Sequence, residues 1–453
     1  MLKKSKRLML VASLFLVFAL IFTAAVQAEV KNVILMIGDG MGIGQIDMTR
    51  YMAGGKDHKL ELMKLPNVGL MMTSSTEGVT DSAAAGTAMA TGHKVYNGAV
   101  AVNKNGAELD SVLDYAEVRN KSTGIISTNT VTDATPATFA ASVKDRGMGG
   151  KIAKQILNNE VEVVLGGGRE DFMKEEAGTD LIAKAKEMGY QYVSNEEQLK
   201  RVVPMNGKIL GLFNDSYMNY IQDREEVDSQ EPSLLEMTTK AIDVLSEDKD
   251  GFFLMAEGAR IDHAAHAADV PGVVAETLDF DASVKYAVDW AREHGNTMVV
   301  VVADHETLGF SVTEPIKKEA LMNIKVSPEY MAGKLVKTES GNAYTIESIQ
   351  KVFKKYADIS LTEAEAREFN SNIVNEDDGS LYYQYKVGWQ IGSVIAEKNN
   401  VGVVSAEVRA KSDTGGHTLN SVPIFAFGPE TEKFNGMMQN TEFAEILFEA
   451  MRP

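Results

Sequence analysis

The chain has 453 residues, 44% of them hydrophobic and 24% charged, enough to build a large core as one domain or as two or three smaller ones. Its net charge of −19 argues against nucleic acid or anionic lipid as a partner. It has no cysteine, which excludes disulfides and thiolate metal sites and leaves His, Asp, Glu, hydroxyls and water as the possible metal ligands.

The chain opens with MLKKSKRLMLVASLFLVFALIFTAAVQA: four cations, an apolar run from Leu8 to Val26, then the small ends of Val26-Gln27-Ala28. This pattern predicts an export signal cleaved after Ala28, and a mature protein that is periplasmic or extracellular with no stable membrane partner. A retained anchor is the alternative, because the run approaches bilayer-spanning length. Removing residues 1–28 takes the net charge from −19 to −23. An anionic substrate would then need local cations, and bound metal could supply them.

Further along, strands are expected at 32–37, 123–127, 161–165, 208–213, 251–256, 297–303 and 422–428, where apolar, β-branched runs are bounded by turn residues. Helices are expected near 149–159, 233–247, 271–294 and 441–451. Continuous apolar strands separated by helices imply a sheet covered on both faces. The expected fold is therefore a three-layer α/β/α sandwich with a largely parallel sheet. The polar stretch 306–416 interrupts the alternation and reads as a subdomain inserted between two late strands. Within it LTEAEAREF suits a helix and EDDGSLYY a turn followed by aromatics.

Ligands of open parallel sheets bind beyond the carboxyl ends of the strands. Asp39 follows the first strand within Gly38-Asp39-Gly40-Met41-Gly42, a spacing unlike the dinucleotide G-x-G-x-x-G, and its charge would repel a pyrophosphate. Asp133 and Thr135 lie downstream of the second strand, Glu257 follows GFFLMA, and Asp304 and His305 follow TMVVVVA. So many acids at one sheet end require something positive among them. If the segment is helical, Asp262 and His266 share a face one turn apart, a workable pair for zinc. Four of the seven histidines, His263, His266, His305 and His417, fall in such acid-rich contexts, whereas His58, His93 and His294 read as surface or structural. Ser82, in VTDSAAAGTAMATG, is either a helix-start residue or a nucleophile. Arg146 could grip two phosphate oxygens with its planar fork.

Together the segments IGDGMG, TDSAAAGTA, DATPA, EGARIDHAAH, ADHET and GGHT resemble those of the alkaline phosphatases, in the family's order and over nearly the whole mature chain. The resemblance implies two zinc ions and one magnesium. One zinc would take Asp262, His266 and His417; the other Asp304, His305 and Asp39, with Ser82 as its partner. Magnesium would take Asp39, Thr135 and Glu257, with Asp133 close by through water. His263 stands where some bacterial members carry lysine, and with Asp133 it leaves zinc or cobalt as alternatives for the third ion. The resemblance further implies small phosphate monoesters as substrates, inorganic phosphate as product, a phosphoserine on Ser82 and a homodimer. A phosphodiesterase and a non-catalytic phosphate or metal binder are the rival readings. A sulfatase is disfavoured, because Ser82 lacks the C/S-x-P-x-R context for formylglycine.

Overall fold

The computed structural model describes residues 29–452 except 205–206 and 376–378. The expected export signal therefore lies outside the described residues, as does part of the expected turn in EDDGSLYY. Among the described residues, no helix is long and apolar enough to cross a membrane.

Among the described residues twelve strands form: β1 (Asn32–Gly38), β2 (Asn67–Met72), β3 (Ser122–Thr130), β4 (Val163–Gly167), β5 (Gln191–Val193), β6 (Ile209–Leu212), β7 (Phe252–Gly258), β8 (Thr297–Val302), β9 (Glu306–Thr307), β10 (His417–Thr418), β11 (Val422–Phe427) and β12 (Gly436–Gln439). Ten of them make one sheet in the order β12-β2-β11-β8-β1-β7-β3-β4-β6-β5. Only β11 runs antiparallel to its neighbours, β2 and β8; the other pairings are parallel. Every residue of β1, β7 and β8 is buried, which requires cover on both faces of the sheet. Helices supply it, and the fold is an α/β sandwich.

The expected helices appear as Gly149–Asn158, Leu234–Leu245, Val270–His294 and Asn440–Ala450. The second begins with a capping box in which Ser233 and Glu236 satisfy each other's backbone N–H. The sequence reading missed β2, β5 and β12. Met and Gly dominate two of these and the third has three residues, so none carries a β-branched run. It also ended the fourth strand early, at its glycines. There β4 continues through Gly166 and Gly167, where a Cβ on Gly166 would lie 2.6 Å from the Ser127 carbonyl oxygen of β3.

Between β9 and β10 the chain forms helices, among them Pro328–Ala332, Ile346–Ala357, Glu363–Ser371 and Gln384–Lys398. Their apolar faces meet in a cluster around Phe353, Ile349, Val387 and Ile391, separate from the main core and shared with Met48, Val270 and Val273.

Candidate metal and nucleophile site

Four adjacent parallel strands, β8-β1-β7-β3, place the chemistry at their carboxyl ends. In the ladders Ile37 lies opposite both Glu257 and Val302, and Glu257 lies opposite Ser127. Asp39, Glu257 and the Asp304-His305 pair are thus brought to one rim by register alone. Gly40 turns the chain there with φ of +65°, and its N–H donates to Asp304 Oδ1 at 3.1 Å. A Cβ at Gly40 would sit 2.5 Å from Asp262 Oδ1, so this turn needs glycine for both conformation and space.

Ser82 is the first residue of a fully buried helix, Ser82–Thr91. Asp81 caps it by accepting from the Ala84 N–H at 2.9 Å. The small side chains bring this helix chiefly onto the helices Ala134–Ala140 and Asn440–Ala450 rather than onto the sheet. A Cβ on Gly86 would meet Thr138 Oγ1 at 2.7 Å.

Two groups of ligand atoms converge. The first is Asp262, His266 and His417, and the second is Asp39, Asp304 and His305. Hydrogen bonds fix the tautomers. His266 Nδ1 lies 2.9 Å from the Gly415 carbonyl and His417 Nδ1 lies 2.9 Å from the Thr80 carbonyl. A carbonyl can only accept, so both Nδ1 atoms carry the proton and both Nε2 atoms present lone pairs. Those two Nε2 atoms face each other at 3.2 Å, and Asp262 Oδ2 lies 3.1 Å from that of His266. Thr307 spends its only proton on Asp262 Oδ1 at 2.5 Å, so it accepts from His305 Nδ1 at 3.3 Å. His305 Nε2 then also presents a lone pair, 3.3 Å from Asp304 Oδ2, 3.5 Å from Asp39 Oδ1 and 3.2 Å from Ser82 Oγ. Lone pairs gathered on carboxylates repel unless a cation sits among them.

A third set of oxygens lies beside the second group. Thr135 Oγ1, Glu257 Oε1, Asp39 Oδ1 and Asp304 Oδ2 are buried without a hydrogen-bond partner. The other oxygen of Glu257 accepts from Ser127 at 2.5 Å. Such orphans are costly in a protein interior, and a bound cation removes the cost.

Electrostatics agree. Burial and the nearby charge of Asp304, then Asp262, push the Asp39 carboxyl well above its ordinary range. Burial lifts Glu257 to about 8 and Asp304 to about 6. The same burial drives His305 down to about 4 and His417 to about 3, which keeps both imidazoles neutral and able to bind metal. Asp262 is the exception: burial opposes its charge, but the surrounding imidazoles hold it well below the usual value.

Arg146 donates to Asp81 Oδ2 at 3.2 Å and to both oxygens of Asp133 at 3.3 Å, and lines the same cavity as Ser82. His263 joins neither ligand group. Its Nδ1 accepts from Arg260 at 2.5 Å, so its other nitrogen bears a proton and cannot ligate as it stands. His58, His93 and His294 also lie outside both groups. The sequence reading missed the supporting residues Thr307, Ser127 and Trp389, the last of which stacks on His266 with ring centroids 4.9 Å apart. Thr307, two residues past His305, was the one within reach of a motif.

The sequence model of the alkaline phosphatase family matches residues 30–452. Alkaline phosphatase 4 of Bacillus subtilis is 35% identical, over 94% of this chain and 90% of the relative. The alkaline phosphatase of Escherichia coli is 35% identical over 61% of this chain and 70% of its own length. Among solved structures, Thermus thermophilus alkaline phosphatase superposes with a TM-score of 0.82 at 27% identity, over 94% of this chain and 92% of that one. The enzyme from a Shewanella species gives 0.77 at 28% identity, over 93% and 100%. The protein is thus a phosphatase, a hydrolase of phosphate monoesters. It belongs to the alkaline phosphatase family.

Proposed function

We propose that this chain is an exported alkaline phosphomonoesterase that works through a phosphoserine on Ser82, with two zinc ions and one magnesium. The observation that carries the reading is the pair of convergent ligand groups, one of them within 3.2 Å of Ser82 Oγ through His305. Asp262, His266 and His417 would hold one zinc, and Asp304, His305 and Asp39 the other, with Ser82 facing it. Asp39, Thr135 and Glu257 would hold magnesium, with Asp133 nearby. The orphaned oxygens of Asp39, Thr135 and Glu257 fit a hard, oxygen-seeking ion. A solved relative with aspartate in place of a histidine carries magnesium in its M3 site, which favours magnesium over zinc or cobalt.

When bound, the cations lower the pKa of a serine hydroxyl and neutralise charge on a departing oxygen. Ser82 Oγ attacks phosphorus in line; the bond from phosphorus to the alcohol oxygen breaks and the alcohol leaves. Arg146, held by Asp81 and Asp133, presents its fork to the non-bridging oxygens and keeps the phosphoryl group aligned. The helix N-terminus at Ser82 favours the added negative charge. Water then attacks phosphorus from the vacated side, the bond to Ser82 Oγ breaks, and inorganic phosphate departs as Ser82 regains its proton. Trp389, Tyr385, Asp413 and Thr414 of the 306–416 insertion line the cavity over Ser82, which supports a lid role for that subdomain. The N-terminal 28 residues support export, and the family resemblance supports a homodimer.

A Ser82–His305 general-base couple is the second reading, from their 3.2 Å contact. It is disfavoured because the same nitrogen faces two carboxylates. Hydrolysis of p-nitrophenyl phosphate at alkaline pH separates the two. Exhaustive chelation should abolish turnover and zinc restore it, while Ser82→Ala should cost at least about a thousandfold in kcat with zinc content retained. Turnover that survives chelation favours the couple and overturns the metal reading.

A further inference from the structure

The cavity that contains Ser82, Arg146 and His417 has a volume of about 500 Å³, room for much more than a phosphate group. Its walls include Tyr217, Tyr385 and Trp389. Trp389 lies nearly parallel to His266, at 16°, and Tyr385 meets the Trp389 ring edge-on at 5.5 Å. Tyr383 continues the series outward, parallel to Tyr385 within 6° at 6.3 Å. Tyr217 is steadied by His263, ring to ring at 4.8 Å, and by the Arg260 guanidinium 5.6 Å from its centroid. Yet these rings are not core: Tyr217 is 46% exposed, Tyr385 41% and Tyr383 78%. Trp389 itself is enclosed by His266, Tyr385 and the Arg409 guanidinium 5.4 Å from its ring, so the open faces are those of Tyr385 and Tyr217, and aromatic faces left open beside a strongly charged site are suited to a planar partner. Glu329, paired with Arg260 at 3.6 Å, and Asp413 line the same cavity and can accept from hydroxyls.

We propose that Tyr385, backed edge-on by Trp389, forms with Tyr217 a stacking platform, the slot for the alcohol half of the substrate. The enzyme is thereby selective for phosphate monoesters whose alcohol carries a planar aromatic ring. The inference rests on the phosphomonoesterase reading above and deepens it. Two sources share that chemistry, simple aryl esters and nucleoside monophosphates. The Glu329 and Asp413 carboxylates add hydroxyl acceptors that only the nucleoside can use.

The test compares kcat/KM of the zinc- and magnesium-loaded enzyme on adenosine 5′-monophosphate, phenyl phosphate and glycerol phosphate. The wild type should favour the two ring-bearing esters over glycerol phosphate. Tyr385→Ala should reduce that preference about tenfold, through KM, whereas Tyr385→Phe should keep it. A larger loss on the nucleotide than on phenyl phosphate identifies the nucleoside as the better fit; equal losses identify the ring alone. An unchanged preference in Tyr385→Ala overturns the slot. A separate readout does not need turnover. The chain has two tryptophans, so in a Trp290→Phe background Trp389 reports alone. Adenosine without phosphate should quench its fluorescence, and less so after Tyr385→Ala. If no ester is hydrolysed but quenching holds, the phosphatase reading falls and the slot stands; absence of quenching overturns the slot.

Discussion

The two ligand groups use similar residues in different surroundings. Asp262, His266 and His417 border the open cavity, with the side chains of Asp262 and His266 exposed by 7% and 9%. Asp304 and His305 are fully buried, Asp39 is 3% exposed, and none of the three lines that cavity. Solvent and the substrate's alcohol can therefore reach the first group directly, whereas the second lies behind Ser82. On the proposed function, a cation held at the cavity's edge would exchange and meet water, whereas one held behind Ser82 would be enclosed in the interior and would orient the serine.

Paired substitutions would break this contrast most sharply. Asp304→Asn should cost about a thousandfold in kcat, with no rescue by added zinc, because it unbalances a buried charge cluster. His417→Gln should cost about tenfold to a hundredfold, and millimolar zinc should restore most of it. Equal rescue of both variants, measured by activity against zinc concentration, would remove the distinction. A smaller effect is expected at Thr307, which touches ligands of both groups. Thr307→Val should lose about tenfold in zinc affinity or activity through the reorientation of Asp262 and His305.

The smallest effect concerns pH and stability. Glu257 at about 8, Asp304 at about 6 and Asp39, also raised, bind protons in the metal-free native state more readily than in the unfolded chain. Above about pH 6.5, where the depressed His305 and His417 are neutral in both states, stability of the metal-free protein should therefore fall as pH rises through about 8, lowering Tm by about 2–4 °C. Metal requires the ionised carboxylates, so the Tm difference between loaded and chelated protein should widen over the same window. A gap that narrows with rising pH would show that these acids are not the ligands.

The sheet was legible where burial on both faces forces β-branched runs, as in TMVVVV and NVILMI. It was illegible at β12, GMMQ, on the sheet's edge and with its first two residues exposed. The site was legible because its acids sit one to three residues from strand ends and Asp262 and His266 share a helix face. What escaped depends on contacts remote in sequence. The Gly415 and Thr80 carbonyls that orient two histidines lie 149 and 337 residues from them. The Arg260–His263 contact is local, but only the fold shows which nitrogen it occupies. The aromatic cavity wall combines Tyr217 with the helix Gln384–Lys398, which carried no recognisable signature.

Asp81 has a reach beyond starting a helix. One of its oxygens accepts from Ala84, and the other from both the Gly98 N–H at 3.0 Å and Arg146 at 3.2 Å. The Arg146 N–H in turn donates to the Gly98 carbonyl at 2.9 Å. The helix that opens with Ser82 and the Arg146 guanidinium are thus anchored on a single carboxylate, which sets the spacing between them.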